Sequence, residues 1–265
     1  MAPITDLSAR AEPNMTPEYE VKLLLKPTAV LDPNKELENT VLSTFDMPSS
    51  ATKQNIQFLD TTGKDIYTAS WSARIHKIEN EDSLQLLYKK RYAIVDGDVD
   101  AALTKANNDG FDADNPKYKA KVEWGYQKQT LSISRKKTAE STNSGMDLPE
   151  ESSSRTILID ESPDEFDNWL RSKWGTGTLA ESRIFGPVHA NRSVGKWEGM
   201  RLYIEVWHIR NCTGTGVEYI VEASFKTMDR TTASTEHDVL ISYLQDKGWL
   251  LEEDLLRTQL IMERY

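Results

Sequence analysis

The stretch from Glu18 to Lys26 alternates charged and apolar side chains and breaks at Pro27. In an extended strand this sets Glu18, Glu20, Lys22 and Leu24 on one face and Tyr19, Val21, Leu23 and Leu25 on the other. One such strand needs nothing more than a wet side and a buried side. The pattern recurs, however. Ser72, Arg74 and His76 share a face, as do Leu87, Lys89 and Arg91, then Arg201, Tyr203 and Glu205, and finally Glu218, Glu222 and Lys226, with Val217, Tyr219, Val221, Ala223 and Phe225 opposite the last set. Five strands with a mixed-charge face and an apolar back do not suit a filled hydrophobic barrel, because unpaired buried charge is so costly. They suit a wide, solvated tunnel with charge on its inner wall.

The remaining pattern reads as strands with helices between them. Pro33 to Phe45, with Asp32 as N-cap, predicts a helix. Strands follow at Gln54 to Leu59, Ala69 to Ile78 and Leu84 to Ile94, then a helix from Asp98 to Gly110. Tyr118 to Lys137 reads as one long strand with a bulge or bend at Gly125. Ser162-Pro163-Asp164-Glu165 is a capping box opening a helix that carries Phe166, Trp169 and Leu170. Leu179 to Val188, Arg201 to Arg210 and Val217 to Lys226 read as strands, and Thr232 to Lys247 and Glu252 to Arg264 as helices. The expected class is α+β: a mainly antiparallel β tunnel or barrel with helices packed outside. Residues 1–16 are expected to be a flexible N-terminus, 17–265 a single domain, and 138–154 a flexible loop within it.

Composition narrows the function classes. A hydrophobic fraction of 38% over 265 residues is enough for a sizeable core. No apolar run reaches membrane-spanning length and no secretion signal opens the chain, so a cytoplasmic protein with no membrane partner is expected. The one cysteine, Cys212, leaves no internal disulfide and no thiolate zinc site. A net charge of −10 argues against indiscriminate nucleic-acid binding, yet Lys117 to Lys137 holds seven basic residues against one acid. With Lys89-Lys90-Arg91, that segment reads either as solvated strand surface or as a local basic surface for a polyanion.

Glu18-Tyr19-Glu20-Val21-Lys22 resembles the E-x-E-x-K signature of the CYTH domains, the triphosphate tunnel metalloenzymes. Phe58-Leu59-Asp60-Thr61, Ala73-Arg74-Ile75-His76 and Leu86-Leu87-Tyr88-Lys89 resemble further family motifs in the family's order. The resemblance implies a tunnel in which Glu18, Glu20 and Glu222 hold Mg²⁺ or Mn²⁺ while Lys22, Arg74 and Lys89 grip a triphosphate. Arg91, Arg183, Arg201 and Lys226 are further candidate contacts to a phosphate or substrate. The sequence departs from the family pattern at His76, Leu87, Ser224 and Gly125, and the lost acids weaken a metal site directly.

Tyr19 to Pro27, Gln57 to Thr61 and Tyr88 to Tyr92 also resemble the fungal arginine-containing cyclodipeptide synthases. That resemblance implies aminoacyl transfer from arginyl-tRNA and a second aminoacyl-tRNA to form a diketopiperazine, with no cofactor. Glu18, Glu20, Lys22, His76, Glu205 and Glu222 are then the candidate catalytic set. A carboxylate of the tunnel would bind the guanidinium, a carboxylate or His76 would take the amine proton, and the basic segments would bind tRNA. A tunnel without activity that binds a phosphorylated ligand or a partner protein is the remaining expectation.

Overall fold

The period-two segments pair so that their charged faces meet. The computed structural model describes residues 13–141 and 145–265. Its strands are β1 (Glu18–Leu25), β2 (Thr52–Asp60), β3 (Trp71–Ile78), β4 (Ser83–Ala93), β5 (Lys119–Trp124), β6 (Gln129–Glu140), β7 (Arg183–Trp197), β8 (Met200–Arg210), β9 (Val217–Thr227) and the short β10 (Leu250–Leu251). Its helices are α1 (Pro27–Val30), α2 (Asn39–Thr44), α3 (Asp65–Thr68), α4 (Val99–Asn108), α5 (Glu151–Asp160), α6 (Asp164–Asp167), α7 (Trp174–Ala180), α8 (Arg230–Asp246) and α9 (Arg257–Arg264). Around the wall the order is β1-β5-β6-β4-β3-β2-β7-β8-β9, and β9 pairs again with β1, which closes a nine-stranded barrel. The β1–β5 pairing is parallel. Every other pairing in the wall is antiparallel.

Closure removes both sheet edges and turns the shared polar face inward. The apolar backs pack against the helices outside. On one side Trp71, Ile75, Tyr88 and Val122 meet Ile66 of α3, Leu103 of α4, Leu158 of α5, Phe166 of α6 and Trp174 of α7. On the other, Val21, Leu23, Ile204 and Phe225 meet Val30 of α1, Val41 of α2, and Leu240 and Leu244 of α8. Each large side chain so buried stabilises the fold by about 1.5–3 kcal/mol. In a third, smaller core Leu260 and Ile261 of α9 pack with Ile56, Phe58 and Trp207. Among the described residues no helix is long and apolar enough to cross a membrane.

Several local expectations are corrected. Pro33 to Phe45 is not one helix, because the Asp32 carboxylate accepts the Glu36 N–H at 3.0 Å and Lys35 turns left-handed at φ 68°, so helix resumes only at α2. Leu37, Val41 and Phe45 are nevertheless buried, as their spacing required. Tyr118 to Lys137 is a hairpin of two strands. Gly125 sits at its turn, where a Cβ would stand 2.1 Å from the Asp254 carboxylate. That carboxylate caps the turn by accepting the N–H groups of Gln127 and Lys128. Leu179 belongs to α7, and its strand starts at Arg183, after Ser182 Oγ donates to the Leu179 carbonyl. α6 is a single turn capped by Pro163, and Ser162 Oγ finds no partner. The last helix begins at Arg257, five residues beyond Glu252.

Of the expected flexible N-terminus, residues 1–12 lie outside the described residues. Pro13 and Asn14 bond to Ala113 and to the α4 side chain of Thr104. Within 138–154, residues 142–144 lie outside the described residues, while β6 continues to Glu140 and α5 starts at Glu151.

Candidate functional site

The inward faces enclose one cavity of about 610 Å³. Its wall carries Glu20 and Lys22 of β1, Arg74 and His76 of β3, Lys89 and Arg91 of β4, Glu205 of β8, and Glu222 and Lys226 of β9. The structure thus brings together most of the residues singled out from sequence. Glu18 stands at the rim, 3.5 Å from Lys121. Arg183 and Arg201 do not line the cavity. Arg183 lies over the Phe185 ring and donates to the Tyr265 carbonyl, while Arg201 is exposed. Lys121 and Glu123 of β5, Lys136 of β6, Arg192 of β7, Trp207 of β8 and Arg257 of α9 complete the wall.

The basic segments divide between the two faces of the wall. Alternation sends Lys89 and Arg91 inward and Lys90 outward, where its Nζ donates to the Ala69 carbonyl and sits 4.3 Å above Trp169. Lys121 and Lys136 face the cavity. Arg135 packs on Tyr118 and Lys137 pairs with Glu161.

Each deep carboxylate is already neutralised by the chain. Glu20 is within 3.3 Å of Lys22, Lys121 and Lys226. Burial alone would raise its pKa, but those three ammonium groups outweigh it and hold the carboxyl well below the ordinary range. Glu123 pairs with Lys89 and, at 4.0 Å, with Arg91. Glu205 accepts from Arg192 Nε at 2.8 Å, Arg257 at 2.7 Å and the Trp207 indole at 3.0 Å. Glu222 meets Arg257 at 3.2 Å, yet burial, with Glu205 and Glu20 nearby, raises its carboxyl above the ordinary value. Lys89 moves the other way. Burial, helped by Arg91, Lys22 and Arg74, outweighs Glu123 and pulls it down to about 7.

Cations exceed carboxylates on the wall. No carboxylate lies within ion-pair distance of Arg74, Lys128 or Lys136 among the described residues. The Arg74 Nε is buried without a hydrogen-bond partner, and burial with Arg257 and Arg91 nearby lowers its pKa to about 10. His76 is held neutral, burial and then Arg74 and Arg192 lowering it to about 3, so it offers no positive charge at pH 7.

In architecture the chain is similar to solved barrels. The fold matches a candidate adenylyl cyclase from Hippeastrum, described as having a dominant triphosphatase activity, at a TM-score of 0.54 and 13% identity over 93% of this chain and 99% of that one. This is a CYTH-like triphosphate-tunnel fold. A candidate adenylate cyclase from Bacillus halodurans aligns over 94% of this chain and 98% of its own, at 11% identity and a TM-score of 0.49. At such identities the likeness concerns the fold alone. No family model and no curated protein matches the chain in sequence.

The Mg²⁺ or Mn²⁺ that the tunnel resemblance implies does not fit this donor set. Among the described residues no three His, Cys, Asp or Glu side chains gather to hold a metal ion, and lysine or arginine already occupies Glu20, Glu123, Glu205 and Glu222. Arg257 and Lys121, which decide this, carried no motif. The Lys119-Ala120-Lys121-Val122-Glu123 alternation marked the second as facing one side of a strand, but not towards Glu18 and Glu20.

Proposed function

We propose that this chain is an enzyme of the triphosphate-tunnel kind, which takes the oligophosphate of an inorganic or organic triphosphate into its cavity and hydrolyses a phosphoanhydride bond. The observation that carries this reading is the cation surplus on the wall, above all the half-buried Arg74, whose shielded Nε has no hydrogen-bond partner and which has no carboxylate within ion-pair distance among the described residues. A desolvated guanidinium is costly unless an anion meets it, and phosphate oxygens accept its fork of N–H groups in a bidentate way. A cavity of about 610 Å³ accommodates a ligand of that size.

Hydrolysis needs charge stabilisation, a proton acceptor for water and a proton donor for the leaving oxygen. Arg74, Lys22 and Arg91 supply the first. Glu222, with its raised pKa, is placed to accept the proton of water, and Lys89, lowered to about 7, to donate one to the departing phosphate. Phosphate release from inorganic tripolyphosphate and ATP, with EDTA and with Mg²⁺ or Mn²⁺, tests the reading. Turnover lost in Glu222→Gln is the expected result. Folded protein that releases no phosphate from either compound under all these conditions would end it.

The Lys89 shift also sets a pH dependence. Below about 7 the ammonium is charged and binds phosphate; above that it is neutral. Tripolyphosphate affinity, measured by calorimetry from pH 6 to 9, is therefore expected to fall relative to Lys89→Arg as pH rises past 7, approaching about tenfold per unit. Parallel profiles for the two proteins would remove Lys89 from phosphate binding.

One observation favours a second reading, cyclodipeptide synthesis from arginyl-tRNA and a second aminoacyl-tRNA. Glu205 and Glu222 hold a guanidinium, that of Arg257, 4.1 Å from the Trp207 ring. Such a clamp has the chemistry to take an arginine side chain once Arg257 withdraws. Mass spectrometry of medium from bacteria expressing the protein decides this reading by the presence or lack of cyclo(Arg-X) compounds.

A further inference from the structure

We propose that Lys121 takes the place of a divalent cation between Glu18 and Glu20, so that the tunnel binds oligophosphate without metal. This rests on the reading of the tunnel as an oligophosphate site. The parallel pairing of β1 with β5 sets Glu18 opposite Lys121 and Glu20 opposite Glu123. Lys121 Nζ stands 3.5 Å from Glu18 Oε2 and 3.2 Å from Glu20 Oε2, bridging the two carboxylates of the opening motif. Lys22 reaches the same Glu20 oxygen at 3.3 Å and Lys226 reaches Oε1 at 3.3 Å.

A divalent ion entering here would displace ammonium groups from both carboxylates and then sit close to three positive charges. Mg²⁺ also demands near-octahedral oxygens, and two carboxylates, which no third acidic or histidine side chain joins among the described residues, supply few. The lysines do the ion's electrostatic work instead. Glu18, Glu20 and their three lysines together carry one net positive charge, which leaves this part of the tunnel attractive to an anion. Lys22, Lys121 and Lys226 come from three different strands and meet on one acid, a convergence that a merely solvated rim has no need to build.

Two titrations test the proposal. In the first, Mn²⁺ alone is added to wild type and to Lys121→Met and the free ion is followed by electron paramagnetic resonance. Wild type is expected to bind no tighter than about 1 mM, and Lys121→Met at least about tenfold tighter. In the second, calorimetry of inorganic tripolyphosphate compares EDTA with Mg²⁺. Wild-type affinity is expected to agree within about twofold between the two, and Lys121→Met to bind about tenfold more weakly in EDTA. Micromolar Mn²⁺ binding by wild type, or tripolyphosphate binding lost in EDTA, would overturn it. Should tripolyphosphate fail to bind under either condition, the oligophosphate reading falls while the Mn²⁺ titrations of wild type and Lys121→Met still decide the role of Lys121.

Discussion

Arg74→Ala is expected to lower turnover of inorganic tripolyphosphate by about 10²- to 10³-fold, the usual loss when one preorganised donor to a reacting oxyanion is removed. The same change is expected to leave the fold as stable as before or slightly more so. Arg74 is half-buried with its Nε shielded and without a partner, and burial, then Arg257 and Arg91, lowers its pKa to about 10. An uncompensated buried cation costs free energy in the folded state, so deleting it relieves a penalty. Activity falling while the urea midpoint holds or rises is the signature of a group kept for a ligand. Intact activity with a loss of about 3 kcal/mol would instead assign Arg74 to the fold.

Arg257→Ala carries the largest expected effect on stability. It removes the guanidinium shared by Glu205 and Glu222 and strips α9 of its ionic anchor in the tunnel. Breaking a buried pair by deleting one partner costs about 3–5 kcal/mol, and Glu205 keeps Arg192, so about 3 kcal/mol at pH 7 is expected from urea unfolding. Acid should narrow the gap to wild type. Glu222 already has a raised pKa, and without Arg257 it rises further. A carboxyl whose folded pKa exceeds its unfolded value gains a proton on folding, so the variant's stability increases as pH falls through that window. A difference from wild type that stays constant between pH 7.5 and 5.5 would show that the loss comes from packing against Trp207 and not from a stranded carboxylate.

The two predictions rest on residues that differ in how visible they were. Arg74 was legible because strand periodicity is local: two residues on either side, Ser72 and His76, defined its face. Arg257 was not, since it reaches the tunnel from α9, outside the strands of the wall, 52 residues after its partner Glu205. The same division explains the local errors. Asp32 carried every mark of an N-cap, but its carboxylate satisfied the Glu36 N–H in a turn, which competes with helix through the same hydrogen bond. The Tyr118 to Lys137 segment had the right period throughout, and the Trp124–Gln129 pairing, the Gly125 N–H donated to the Lys128 carbonyl and the Asp254 carboxylate accepting from Gln127 and Lys128 show where it folds back.

The sequence by itself determined that this chain builds a wall with charge on one face and apolar side chains on the other, because alternate residues of a strand must point to opposite sides. It also determined that Glu20, Lys22, Arg74, Lys89, Glu205 and Glu222 belong to the charged face. Only the tertiary structure decided which charges meet. The parallel closure of β1 on β5 places Lys121 against Glu18 and Glu20, across a separation of 101 residues for the Glu20 contact. Whether a carboxylate can bind a metal depends on its neighbours within a few ångströms, and in a closed barrel those neighbours come from strands that sequence order does not bring together.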